Sequence, residues 1–239
     1  MANPGAGAIA PSRDVQHMFD GIVPRYDLMN RLMTGWRDVA WRKRTVKAVL
    51  EAQPERVIDV ATGTGDLAIE LADAGIPSVI GLDFSGGMIA AARDKISGRT
   101  RIGLVQGDGM TLPLDDGSVD GLTISFGLRN LPDYDAAIRE FVRVVRPGGR
   151  IVVLEMSPLP PSRFASMFDW YFRTIVPIVG GVLTGDRSAY EYLPDSVAAF
   201  PDRDRLMRMM LNAGCSRVRI VSLGFGTVAL HIGERAPNG

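Results

Sequence analysis

Cysteine and histidine are scarce in this sequence, which has one cysteine and two histidines in 239 residues. Because Cys215 has no second cysteine with which to form an internal disulfide, we expect a reducing, cytosolic setting. His17 and His231 lie far from each other and from Cys215 along the chain, a spacing that matches no common metal-ligand pattern. The sequence therefore predicts neither a disulfide scaffold nor a metal site.

Net charge and long apolar runs are also absent. The 27 basic residues balance the 27 acidic ones, which gives no electrostatic reason to expect a nucleic-acid partner. No apolar run approaches the roughly 20 residues of a membrane-spanning helix. Residues 1–12 lack the basic and apolar regions of a signal peptide. We expect a cytoplasmic protein, with peripheral contact at the inner face of the cell membrane as the alternative.

The sequence does contain a regular alternation of short β-branched runs and helical patterns. Strands are predicted at 57–60, 78–82, 102–106, 121–125 and 150–155. Helices are predicted at 66–73, 86–96 and 134–145, with a Pro-Gly-Gly turn at 147–149 closing the last of them. Repeated β-α units at this spacing predict a doubly wound, mostly parallel α/β sheet whose ligand lies at the carboxyl ends of the strands.

The flanking regions break this alternation and define the predicted organisation. Residues 1–12 are rich in Gly, Ala and Pro and are predicted to be a disordered lead-in. Residues 13–50 carry apolar residues at helical spacing, with helices at 26–36 and 39–50, and form a predicted N-terminal helical cap. Residues 51–239 form the main domain, with a lid insertion at about 157–205. A helix at 203–213 and a pair of strands end the chain.

One stretch, DVATGTGD at 59–66, has the composition of a nucleotide-binding loop. Gly63 and Gly65 allow tight or positive-φ turns and let a ligand approach main-chain N–H groups. Ala61 stands where a strict dinucleotide fingerprint has its first glycine. Taken alone, the pattern is equally that of an ordinary strand-to-helix turn.

Two acidic residues after later strands favour one kind of cofactor. Asp83 ends the second predicted strand, where a carboxylate can accept hydrogen bonds from both ribose hydroxyls. Asp108 follows the third, where it could accept from an adenine amino group. The loop brings neither positive charge nor further glycines for a pyrophosphate, so S-adenosylmethionine fits better than NAD(H), which remains the competing cofactor. The alternative for Asp83 is a helix N-cap or a turn residue, a role that Ser85 could share.

Several longer motifs resemble the ubiquinone/menaquinone biosynthesis C-methyltransferase family, and the likeness runs from about Val15 to Gly233. They are YDLMN at 26–30, DVATGTGD at 59–66, TISFGLRN at 123–130, RVVRPGGR at 143–150 and GDRSAYEYLPDSVAAFP at 185–201. The resemblance implies a class I methyltransferase (Rossmann-like) fold, with residues 51–239 as the S-adenosylmethionine-dependent domain. The predicted cofactor contacts are Ala61, Gly63, Thr64, Gly65, Asp83, Phe84, Asp108, Gly109 and Ser125. Gly109 departs from the alanine usual in the family.

The resemblance also implies a reaction, namely methyl transfer to a ring carbon of a polyprenylated quinol. Conversion of demethylmenaquinol to menaquinol is the first reading, and the ubiquinone-pathway benzoquinol or another small aromatic is the alternative. Arg129 is predicted to polarise the substrate hydroxyl and stabilise the phenolate, oriented by Asn130, while Tyr26 helps to close the pocket. The alternative for Arg129 is a surface salt bridge with Asp133 or Asp135.

The predicted lid at 168–201 is strongly apolar and aromatic. It offers a surface for an isoprenoid tail or for a membrane interface, and the alternatives are simple packing on the sheet or a homodimer contact. Two functions of other classes remain open from the residues alone. A nicotinamide-dependent oxidoreductase is disfavoured by the missing third glycine, and a non-catalytic adenosyl-ligand sensor by the Arg129-Asn130 pair.

Overall fold

The computed structural model describes residue 23, residues 26–184 and residues 188–237. The predicted lead-in at 1–12 and the cap residues before Val23, His17 among them, lie outside the described residues. The side chain of Tyr26 also lies outside them.

The described part of the chain contains seven strands. They are β1 (Arg56–Val60), β2 (Ser78–Asp83), β3 (Ile102–Gln106), β4 (Val119–Ser125), β5 (Val145–Met156), β6 (Cys215–Leu223) and β7 (Val228–Arg235). They form one sheet in the order β3-β2-β1-β4-β5-β7-β6. The first five strands pair in parallel, and β7 runs antiparallel to both β5 and β6. The predicted doubly wound, mostly parallel sheet is confirmed.

Helices flank both faces of this sheet. They are α1 (Tyr26–Thr34), α2 (Arg37–Leu50), α3 (Asp66–Asp73), α4 (Gly86–Lys95), α5 (Tyr134–Val144), α6 (Arg163–Thr184), α7 (Ser188–Ala199) and α8 (Arg203–Asn212), with 3₁₀ turns at Leu128–Asn130 and Gly224–Gly226. Successive strand residues point to opposite faces. Ile58 therefore joins the core that includes Phe141 of α5, and Val57 joins the core that includes Leu71 of α3.

The Pro-Gly-Gly segment corrects one detail of the prediction. A turn at 147–149 was expected to separate α5 from a strand beginning at 150, yet β5 starts at Val145. Residues 146–149 form a bulge within it. Val119 of β4 faces Val145 and Gly121 faces Arg150, so Asp120 alone lies opposite residues 146–149. A Cβ at Gly149 would lie 2.5 Å from the carbonyl oxygen of Asp120, so only glycine fits where the bulge crosses β4.

The segment predicted to be a lid forms α6 and α7. Phe172 and Val176 of α6 pack with Val197 of α7 and Met29 of α1 in a separate apolar cluster. Arg173 of α6 joins these two helices through an ion pair with Asp195 (2.6 Å), and it also pairs with Asp169 on its own helix (2.9 Å). None of the described helices is both long enough and apolar enough to cross a membrane.

Candidate active site

The loop after β1 is held in left-handed conformations. Ala61, Gly63 and Gly65 have φ angles of 52°, 57° and 85°. At Gly65 a Cβ would lie 3.3 Å from the Cβ of Ala92, so α4 packs directly on the loop. Gly65 therefore shapes the loop against α4, whereas Ala61 and Gly63 face the open cleft at the carboxyl ends of the strands.

Asp83, at the end of β2, is bonded to this loop. Its carboxylate accepts hydrogen bonds from the main-chain N–H groups of Gly63 (2.8 Å) and Ser85 (2.9 Å). The N-cap of α4 is Ser85, whose Oγ accepts from the N–H of Met88 (3.0 Å). Asp83 is thus not the N-cap of the helix, but its bond from the N–H two residues on is that of a turn residue, the other alternative considered for it.

A single cleft of about 810 Å³, its open mouth included, brings together most of the predicted cofactor residues. Those that line it are Ala61, Gly63, Asp83, Phe84, Asp108, Gly109 and Ser125. Asn130 also lines it, together with the apolar side chains of Phe126, Leu131 and Met88. None of the described residues along this cleft is basic. The cleft therefore offers two carboxylates and apolar walls, without a cationic group for a phosphate.

Gly109 lies tightly inside the cleft. A Cβ at this position would be 3.1 Å from Cγ1 of Val60. Alanine, the residue usual in the family, would fit here only if Val60 moved by a few tenths of an ångström.

A second, polar pocket of about 500 Å³ adjoins the cleft and shares Ala61, Gly63, Ser125 and Phe126 with it. Thr64 lines this pocket rather than the cleft, and its hydroxyl donates to Asp27 of α1 (2.7 Å). Lys95 of α4 donates to Thr64 (2.8 Å) and to Asp66 (2.8 Å) and also pairs with Asp27. These bonds hold α1, which begins at Tyr26, against the loop that follows β1.

Sequence reasoning missed the charged residues that form the floor of this pocket. Arg42 pairs with Asp38 (2.7 Å), Glu70 (2.8 Å) and Asp66 (3.5 Å). The four-residue spacing of Asp38 and Arg42 is an i,i+4 ion-pair signal. No sequence signal connects either of them to α3.

Asp59 of β1 is fully buried between two hydroxyl groups. Its carboxylate accepts from Thr62 (2.7 Å) and Thr123 (2.7 Å). Burial raises the pKa of Asp59 to about 6, although the two hydroxyl donors oppose the rise. The residue that opens the DVATGTGD motif is thus a buried acid whose pKa lies well above the usual value of a carboxyl group.

Arg129 lies behind the cleft wall and is 7% exposed. Its Nη1 donates to Glu155 (2.5 Å) and to the carbonyl oxygen of Phe126 (2.9 Å). It is not among the described residues that line either pocket. The salt-bridge alternative named the wrong partners, because Arg129 pairs with a buried glutamate while Asp133 caps α5. A direct role for Arg129 in catalysis stays a prediction.

Comparison with known proteins identifies the family. The model of the ubiE/COQ5 methyltransferase family matches residues 8–235. A demethylmenaquinone methyltransferase of Thermus thermophilus is 46% identical over 220 residues, which cover 91% of this chain and 100% of that protein. A ubiquinone/menaquinone biosynthesis C-methyltransferase UbiE of Geobacter sulfurreducens is 38% identical over 226 residues, which cover 92% of this chain and 88% of that protein.

Solved structures of low identity share the fold. A SAM-dependent methyltransferase of Thermotoga maritima, described as a possible histamine N-methyltransferase, has a TM-score of 0.66 at 20% identity and covers 92% of this chain and 98% of its own. The [4+2]-cyclase SpnF has a TM-score of 0.68 at 21% identity, and the match covers 98% of this chain and 100% of the cyclase chain. Since a cyclase shares the fold, the fold alone does not fix the chemistry. The family match does, and the chain belongs to the ubiE/COQ5 methyltransferase family of S-adenosylmethionine-dependent enzymes.

Proposed function

We propose that this enzyme methylates a ring carbon of demethylmenaquinol in isoprenoid quinone biosynthesis. The names of its most similar relatives support this substrate. The observation that carries the proposal is the single cleft in which Asp83, Asp108 and Asn130 meet apolar walls and no basic side chain of the described residues. That lining fits a nucleoside cofactor without phosphates beside an aromatic acceptor.

The cleft residues divide between the two ligands. S-adenosylmethionine, when bound, supplies an electrophilic methyl group. Asp83 accepts hydrogen bonds from its ribose hydroxyls, and Asp108 accepts from its adenine amino group. The apolar side chains of Phe84, Phe126 and Leu131 exclude water and contact the rings.

Methyl transfer also needs a correctly placed acceptor ring. Asn130 lines the cleft beside Ser125, at the carboxyl end of β4, where its amide can orient a ring hydroxyl. Loss of the hydroxyl proton makes the ortho carbon more nucleophilic. Tyr26 remains the proposed contribution of α1 to this side of the site.

Transfer of a labelled methyl group tests the proposal. Purified enzyme is given labelled S-adenosylmethionine with demethylmenaquinol or with the demethylated benzoquinol, and kcat/KM is measured for each. We expect the naphthoquinol to be preferred, and Asp83→Ala to lower transfer through cofactor affinity. A preference for the benzoquinol would assign the enzyme to the ubiquinone pathway, and transfer to neither would refute the proposed function.

We also propose that the enzyme contacts the membrane that holds its substrate through an aromatic surface formed by Trp36, Arg37, Phe164 and Phe225. Phe225 is 79% exposed and Trp36 57% exposed. The Arg37 guanidinium lies 5.2 Å from the centroid of the Phe225 ring. The centroids of the Phe164 and Phe225 rings are 6.3 Å apart. These contacts unite the turn after β6, the start of α2 and the start of α6 in one surface.

The exposed side chains of this surface favour lipid over water. Exposed aromatic residues beside an arginine match the chemistry of an anionic lipid interface, where rings enter the headgroup layer and the cation pairs with phosphate.

Flotation with vesicles containing anionic lipid tests this surface. The double variant Trp36→Ser, Phe225→Ser should lose vesicle binding, whereas Leu211→Ser, which changes an exposed apolar residue of α8, should retain it. If the wild type does not float and the double variant instead turns a dimer into a monomer, the surface joins two copies and the membrane proposal is refuted.

A further inference from the structure

Glu155, which neither the sequence motifs nor the cleft lining single out, holds one wall of the active site. It is the residue before the end of β5 and is 1% exposed. A buried carboxylate is costly unless it is paired and hydrogen-bonded. Here Glu155 Oε1 accepts from Nη1 of Arg129 (2.5 Å) and from the N–H of Met156 (2.8 Å), and Oε2 accepts from the main-chain N–H of Arg129 (3.3 Å).

Arg129 connects Glu155 to the turn that follows β4. Its Nη1 donates to Glu155 and also to the carbonyl oxygen of Phe126 (2.9 Å). The Nε–H of Arg129, by contrast, is buried and has no hydrogen-bond partner among the residues that the structure describes. The guanidinium therefore does not form the bidentate pair typical of arginine and carboxylate. It braces the turn by bridging Glu155 and Phe126.

The braced turn is the part of the chain that faces the ligands. Phe126 has a φ of 56°, which is unfavourable for a bulky residue and persists only where the surroundings impose it. Ser125, Phe126, Gly127 and Asn130 all line the cleft, whereas Glu155 and Arg129 do not. The carboxylate thus reaches the cleft through the position of this turn.

We propose that Glu155 is a positioning residue of the methyltransferase, acting through Arg129 to fix the turn at 126–130 and thereby to aim Asn130 at the acceptor ring. The catalytic consequence rests on the proposed function, whereas the hold on the turn does not. Asp83 and Asp108, the proposed cofactor-binding carboxylates, lie at the end of β2 and after the edge strand β3, outside the turn at 126–130. Loosening the turn should therefore slow transfer more than it weakens cofactor binding.

The test compares Glu155→Gln, Arg129→Met and the double variant, with Glu140→Gln as the matched control. Glu140 also pairs with an arginine, Arg143 (2.8 Å), and accepts from a main-chain N–H, that of Leu112 (2.7 Å). It lies on α5 and does not line the cleft. Each protein is assayed for kcat, for the cofactor Kd by calorimetry and for amide hydrogen exchange at 126–130.

We expect Glu155→Gln to lower kcat by about tenfold to a hundredfold, the range for a misplaced group, and to change the cofactor Kd by less. Exchange at 126–130 should accelerate in Glu155→Gln and remain at the wild-type rate in Glu140→Gln. Since both residues act through one turn, the double variant should be no slower than Arg129→Met alone. Losses that multiply in the double variant, or equal losses in Glu140→Gln, would overturn the proposal.

A wild-type enzyme that transfers no methyl group to a quinol would refute the proposed function alone. Hydrogen exchange needs no acceptor and still decides whether Glu155 holds the turn. Unchanged exchange at 126–130 in Glu155→Gln would refute the positioning role even in an active enzyme.

Discussion

Gly127 packs directly against Ala61, so that a Cβ at position 127 would lie 2.4 Å from the Cβ of Ala61. This contact joins the turn after β4 to the loop after β1. Both residues line the cleft. A single methyl group added at position 127 must therefore push the two loops apart.

Gly127→Ala is expected to disturb cofactor binding through that clash. Its φ of −111° suits any residue, so the effect is steric rather than a matter of backbone strain. We expect the cofactor Kd to rise at least about tenfold, corresponding to roughly 1.4 kcal/mol. Gly103→Ala in β3 is the control, because a Cβ there meets no atom within 4 Å. Equal cofactor affinity in the two variants would mean that the loops separate freely.

Asp83→Ala should weaken cofactor binding more than it slows the chemical step. The variant loses the bond that holds Gly63 and the proposed ribose contacts, and each hydrogen bond to a charged group contributes about 1.5–3 kcal/mol. We expect a cofactor Kd raised at least about tenfold, the equivalent of about one such bond, with kcat at saturating cofactor near the wild-type value. Calorimetry and steady-state kinetics measure the two effects. Asp73→Ala, which removes a surface partner of Arg99, should change neither.

Asp59 should make stability fall as the pH rises from about 4 to about 6. Burial raises the pKa of Asp59 from 3.8 to about 6, so across this window the folded protein binds a proton that the unfolded chain has lost. Ionisation of the buried carboxylate then costs at most about 3 kcal/mol at neutral pH. Asp59→Asn removes this cost.

Chemical denaturation of Asp59→Asn and of the wild type between pH 4 and pH 7.5 checks this sign. The free energy of unfolding of Asp59→Asn minus that of the wild type should increase as the pH rises. Gly103→Ala changes no titrating group, so its difference from the wild type should not vary with pH. A constant difference for Asp59→Asn as well would contradict the raised pKa.

Cys215 should be unreactive in the native protein. The thiol is buried at the start of β6, and burial raises its pKa to about 12. The nucleophilic thiolate is therefore scarce at pH 8. We expect iodoacetamide to label the protein at that pH only after denaturation, as mass spectrometry would measure. Rapid labelling without denaturant would show that the end of the sheet opens.

The fold was largely predictable because its strands follow simple rules. Parallel strands are short runs rich in apolar residues that end near small or acidic residues, and 78–82 and 102–106 fit that description. The bulge at 146–149 was not predictable in the same way. Glycine favours turns and bulges alike, and only the register between Val119 and Gly121 distinguishes them.

The site was predictable where it follows from topology. Asp83 and Asp108 end neighbouring strands, so the parallel sheet brings both to one cleft. The partner of Arg129 was beyond the sequence, because Glu155 lies 26 residues away and meets it only through the pairing of β4 with β5. Arg42 and Glu70 likewise meet through the packing of α2 on α3, which no local spacing encodes.

The most direct test of the central claim is the position of the transferred methyl group. The enzyme is incubated with S-adenosylmethionine carrying a ¹³C-labelled methyl group and with demethylmenaquinol, and the product is analysed by NMR and mass spectrometry. We predict one label per product, bonded to a ring carbon, with both ring hydroxyls retained. A label on oxygen, or a quinol recovered without label, would contradict C-methylation.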